Sequence, residues 1–126
     1  MRNRLAAAAV GTTIALAAAT AIPLAAAAPQ APAGSVVRIA AVANGLAYST
    51  KTLSAKAGKV TIVFTNRSQL RHNVRLEVGE KEYGGTKTIG HGTTRVTLTL
   101  AKGRYHFYCS VPGHEDAGMS GYLTVG

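Results

Sequence analysis

The sequence predicts an all-β fold, a Greek-key β-sandwich of seven to eight strands. Three observations predict it. Short runs rich in β-branched and aromatic residues recur beyond residue 34, turn residues separate them every 8 to 12 positions, and no helix-period stretch of useful length interrupts them. The first run, 35–43 (SVVRIAAVA), ends at Asn44-Gly45, a strong turn dipeptide. Two short runs follow, 46–50 (LAYST) and 51–55 (KTLSA), closed by Ala57-Gly58. In 59–66 (KVTIVFTN), Val60, Ile62 and Phe64 alternate with Thr61, Val63 and Thr65; Val63 makes this strand apolar on both faces, as a central strand is. In 72–78 (HNVRLEV), Val74, Leu76 and Val78 are expected on the inner face, with Asn73, Arg75 and Glu77 outside. The glycine-rich stretch 79–92 (GEKEYGGTKTIGHG) reads as an irregular connection crossing between sheets. The run 93–100 (TTRVTLTL) sets Val96, Leu98 and Leu100 against threonines, and 103–109 (GRYHFYC) and 121–125 (GYLTV) complete the set.

The N-terminus has a different character. A basic start, MRNR, precedes an uncharged run from Leu5 to Ala28, ending in small residues. That pattern describes a secretory signal peptide over residues 1–28, with a retained anchor as the alternative. Residues 29–34 (PQAPAG) form a linker, and 35–126 form the domain. The expected location is therefore periplasmic or extracellular, or membrane-tethered if the segment is kept. Without Arg2 and Arg4, 12 Lys and Arg remain against 5 acids, a net charge of +7. The balance suits acidic partners or an anionic surface such as a membrane face, beside the plainer reading of a solvated surface. No basic cluster interleaved with aromatics is present, which argues against nucleic acid. A monomer is expected.

One cysteine excludes an intramolecular disulfide, and a lone thiol in an oxidising compartment is buried, paired between chains or occupied by chemistry. Alternation in 103–109 turns Cys109 to the same face as Tyr105 and Phe107, while His106 and Tyr108 face the other way. The chain then turns at Pro112-Gly113, presents His114, passes Gly118 and presents Met119 before the last strand. His72, at the start of a strand after a loop, supplies a second imidazole; His91 and His106 are expected to be exposed and uninvolved. A thiolate, two imidazoles and a thioether suit one metal best. Trigonal His₂Cys with a weak axial Met is the ligand set of blue-copper electron-transfer sites, whereas structural zinc sites do without thioether. Nucleophilic Cys/His hydrolysis fares badly, for want of a helix N-terminus to depress the thiol pKa or room for a cleft.

With these residues in view, YHFYCSVPGHEDAGMSGYLTV (105–125) together with HNV (72–74) resembles the small cupredoxins of the plastocyanin and azurin type. The resemblance implies that His72, Cys109, His114 and Met119 hold one type 1 copper. It also implies that Asn73 and Ser110 are the pair whose hydrogen bonds tie the two ligand segments together. By the same resemblance the protein is a one-electron carrier and not an enzyme, docking through the edge of His114 to redox partners of the cytochrome or copper oxidase type. A copper carrier or storage module without a shuttle role is the alternative. Two departures stand out. Arg71 occupies the place where the family often has proline, and Glu115-Asp116 puts acid beside the port of an otherwise basic molecule.

Overall fold

The computed structural model describes residues 34–126, together with residues 11, 15 and 17–19. The expected signal peptide or anchor (1–28) and all of the linker but Gly34 otherwise lie outside the described residues. Among the described residues no helix is long and apolar enough to cross a membrane.

Eight strands form two sheets packed as a sandwich. They are β1 (Ser35–Ala41), β2 (Thr52–Ala55), β3 (Gly58–Asn66), β4 (Arg75–Val78), β5 (Lys81–Gly85), β6 (Gly92–Leu100), β7 (Gly103–Tyr108) and β8 (Ser120–Val125). One sheet has the order β1-β3-β6 and the other β2-β8-β7-β4-β5. The pairs β1–β3 and β2–β8 are parallel. The remaining pairs, β3–β6, β4–β5, β4–β7 and β7–β8, are antiparallel. The all-β sandwich read from the alternation is the fold observed.

Alternation explains the core. Val60, Ile62 and Phe64 of β3 are buried, and so is Val63 on its other face, as expected of a strand with neighbours on both sides. Facing them from the second sheet are Leu76, Tyr105, Phe107, Leu123 and Val125. Val96 and Leu98 are only partly buried at their margin.

Three stretches differ from the expectation. The run 46–50 is not a strand: Tyr48 makes a single bridge to Ala41, and its ring enters the core. The stretch 79–92 contains β5, joined to β4 by the two-residue turn Gly79-Glu80, with φ +58° at Gly79. Lys81 and Glu82 leave β5 with a charged exterior, which suits the edge of the sheet. Finally, β4 starts at Arg75 and not at residue 72, and its register shifts at Leu76/Glu77. Val78 is consequently exposed at the hairpin end, while Asn73, outside the strand, is buried.

Gly121 sits in β8 where a side chain has no room: an added Cβ would meet the carbonyl oxygen of Lys51 and the ring of Phe107. We expect Gly121→Ala to destabilise the domain by at least ~1–3 kcal/mol, as overpacking of a filled core does. Gly103→Ala is the control, since its Cβ would find only ordinary contacts. Urea unfolding of the two variants checks this, and equal midpoints would contradict it.

Candidate metal centre

The sequence brings three potential ligands to one segment, and the sheet fixes both of its ends. Cys109 follows β7 and Met119 precedes β8, two strands that are paired to each other. Between them the chain closes on itself: His114 N–H donates to the Val111 carbonyl (3.0 Å), Gly118 N–H to Glu115 (2.8 Å) and Met119 N–H to His114 (3.1 Å). Cys109 N–H in turn donates to the Met119 carbonyl at 3.1 Å, so the thiol and the thioether are held across one narrow ladder rung. Gly113 and Gly118 take φ of +82° and +102°, which the tight turns require. From outside, Lys51 Nζ donates to the Gly118 carbonyl at 3.0 Å.

His72 arrives from the other side. Its backbone pairs with Ile89 in both directions, N–H to carbonyl at 3.1 and 2.9 Å, an isolated bridge ahead of β4. The side chain is fully buried. Its Nδ1 lies 3.1 Å from Nδ1 of His114 and 3.8 Å from Sγ of Cys109, and His114 Nδ1 lies 3.5 Å from that Sγ. Donors sharing a plane with one metal, at the ~2.0–2.3 Å bonds typical of imidazole and thiolate, stand about 3.5–3.8 Å apart. The two edges to sulfur have that length, and the edge between the imidazoles is shorter at 3.1 Å. Cys109 and Met119 are buried to the same degree as His72, whereas His114 is half-exposed. The four residues form the arrangement of a type 1 copper site, with soft sulfur and imidazole donors that suit copper.

Asn73 and Ser110, each next to a ligand, are joined as expected. Asn73 Oδ1 accepts the Ser110 N–H at 2.9 Å, and its Nδ2 donates to Ser110 Oγ at 2.7 Å and to Thr88 Oγ1 at 2.9 Å. Two participants escaped the sequence reading. Thr88 is one. The other is Tyr48, whose buried hydroxyl donates to the Asn73 carbonyl and whose ring packs edge-on to Phe107 and Phe64. Burial, reinforced by the nearby Cys109, pushes its phenol well above the ordinary range, so it remains a donor. Arg71 is exposed and donates to the Thr88 carbonyl at 3.0 Å. Glu115 turns toward β7, 3.9 Å from the ring of His106, and Asp116 is exposed. His91 is exposed, as expected; His106 is largely covered and bonded to Glu77 at 3.0 Å.

Burial, with a smaller contribution from His114, holds the His72 imidazole below its ordinary value. It is therefore neutral at pH 7, the form in which an imidazole binds a metal. Its Nε2 is buried with no hydrogen-bond partner among the described residues. A depressed folded-state pKa gives stability that is complete above the unfolded value of about 6.5 and is lost as pH falls through the lower folded value. For the metal-free protein we expect His72→Gln to flatten the decline of stability below that pH. Denaturant midpoints at several pH values test this, and parallel curves would contradict it. Asn73→Ala removes three hydrogen bonds and is expected to cost roughly 2–4 kcal/mol, at about 1 kcal/mol each and more where a buried partner is stranded. The same unfolding experiment at pH 7 reads it.

The model of the copper binding proteins of the plastocyanin/azurin family matches residues 35–126. No curated protein matches the chain. Among solved structures, a dithionite-reduced auracyanin from the photosynthetic bacterium Roseiflexus castenholzii superposes with a TM-score of 0.69 at 28% identity, over 75% of this chain and 98% of its own. Auracyanin B does so at 0.68 and 26%, over 79% and 93%. Rusticyanin from Thiobacillus ferrooxidans, at 24% identity and a TM-score of 0.61 over 75% and 79%, shares the fold. With the sandwich, the ligand triangle and a family match across the whole domain in agreement, the chain belongs to the plastocyanin/azurin family of copper-binding cupredoxins.

Proposed function

We propose that this protein is an exported one-electron carrier and not an enzyme. The observation that carries the reading is the buried His72–Cys109–His114 triangle, held from two directions by backbone and side-chain bonds. His72, Cys109 and His114 would hold copper in their plane, with Met119 beside it; bound there, copper supplies a Cu(I)/Cu(II) couple. The chain's contribution is to keep the donors in place. Asn73 locks the His72 segment to the Cys109 segment, and the Cys109–Met119 rung closes the loop, so neither side chain is free to follow a change in the metal's preferred geometry. Little reorganisation is the property an electron carrier needs.

Access supports the same reading. Cys109 is buried, so its sulfur is out of reach of a substrate carbonyl, which a nucleophilic hydrolase would require. His114 is the one imidazole of the triangle that reaches the surface, and its edge is where a redox partner of the cytochrome or copper oxidase type would dock. Two opposing features meet at this face: a basic domain and the acids Glu115 and Asp116 next to His114. One structural neighbour supports the redox role: the Roseiflexus castenholzii auracyanin was solved in a dithionite-reduced state.

Adding Cu(II) to the metal-free protein is expected to give an intense visible charge-transfer band from the Cu–thiolate bond, and Cys109→Ser to abolish it. Fast, reversible voltammetry of the copper-loaded protein separates a shuttle from a copper delivery or storage module. A colourless complex, or a colour retained in the serine variant, would sink the electron-carrier reading; slow, irreversible voltammetry would favour delivery.

A further inference from the structure

On the outer face of the five-stranded sheet, a second set of metal-ligating side chains converges beside the copper site and shares none of its ligands. Glu77 of β4 and His106 of β7 are direct cross-strand partners, so their side chains leave the sheet on one face. Glu115 reaches them from the loop that carries His114. His106 Nδ1 lies 3.0 Å from Glu77 Oε1 and 3.9 Å from Glu115 Oε1, and the three ligand atoms all lie within 4.8 Å of one another. Nitrogen and oxygen donors bound tetrahedrally at ~2.0–2.2 Å stand about 3.4 Å apart, which falls between the two distances from His106 to the carboxylates.

Two further features favour a cation here over a plain ion pair. The imidazole is oriented by its neighbours: its ring stacks on Tyr108 at an interplanar angle of 10° and lies 5.3 Å from Tyr122. The charges do not balance either. Among the described residues, Glu82 pairs with Arg75, but neither Glu77 nor Glu115 has a Lys or Arg within ion-pair distance. One imidazole thus faces two carboxylates on a domain that is otherwise rich in cations. Burial first, and then Glu77, Glu82 and Glu115 against the opposing Arg75, raise the Tyr108 phenol above its ordinary value. Imidazole with two carboxylates is a donor set for a borderline divalent ion; three protein ligands leave a fourth, open position for water.

We propose that Glu77, His106 and Glu115 form a second metal site, selective for a divalent transition ion of the Zn(II) type, adjacent to the copper centre. Zinc here neutralises the acid at the rim of His114, and so resets the charge of the face a redox partner would meet.

The test is calorimetric titration of Zn(II) into the copper-loaded full chain, where copper protects the His72–Cys109–His114 triangle. One zinc per chain is expected, with the visible copper band retained. Glu77→Gln and His106→Gln should each weaken zinc by at least the ~10–100-fold that even an outer-shell partner is worth. Glu80→Gln and Asp116→Asn should leave it unchanged. The copper band and the thermal midpoint of each variant verify that it has folded, and Glu77→Gln keeps the test open if His106→Gln does not. No zinc uptake, uptake that bleaches the copper band, or zinc affinity in the Glu77 and His106 variants equal to that of the unsubstituted protein would each overturn the proposal.

Discussion

The hydrogen bonds of Asn73 are the joint on which the centre depends. His72 lies 37 residues before Cys109 and is borne by an isolated bridge ahead of a strand, a position with few constraints of its own. Asn73 ties that stretch to Ser110 through both ends of its amide and to Thr88 through the same nitrogen, while Tyr48 holds its carbonyl from below. Every polar atom of a buried side chain is thereby used, which is the condition under which a buried polar group organises a structure and does not weaken it. The sandwich provides the walls. The amide sets the distance between the imidazole from one side and the sulfur from the other.

Where local pattern decides structure, the sequence was readable. β6, β7 and β8 alternate cleanly, and the alternation in β7 alone turns Cys109 inward. β5 was not readable because an edge strand protects itself with charge and glycine, and Lys81, Glu82, Gly84 and Gly85 therefore imitate a loop. Val78 broke the alternation because the hairpin ends there. The copper ligands were legible as a set, since few combinations of thiol, imidazole and thioether have another use. Tyr48 and Thr88 were not, because each acts through a single hydrogen bond to a residue distant in the chain, which leaves no periodic trace.

The histidines show the same division. His72 and His106 are both largely covered, although the sequence sets one at the start of a strand and the other on the outward face within one. Their environments differ: one faces sulfur and another imidazole in a dry interior, the other faces carboxylates on the outside of the sheet. The acidic pair at 115 and 116 also divides. Glu115 is drawn toward His106, and Asp116 remains in solvent, so the two adjacent acids occupy different surroundings despite identical charge.

The strand order has a consequence in time. β8 lies between β2 and β7; β7 is only the ligand loop away, but β2 precedes β8 by a long stretch of chain and must pair with it in parallel. Such non-local pairing forms slowly. Until that strand is seated, Met119 has no fixed position and the sulfur of Cys109 has no cover. The lone thiol is therefore exposed to oxidation for as long as folding takes, and thereafter shielded by the same insertion that completes the ligand set.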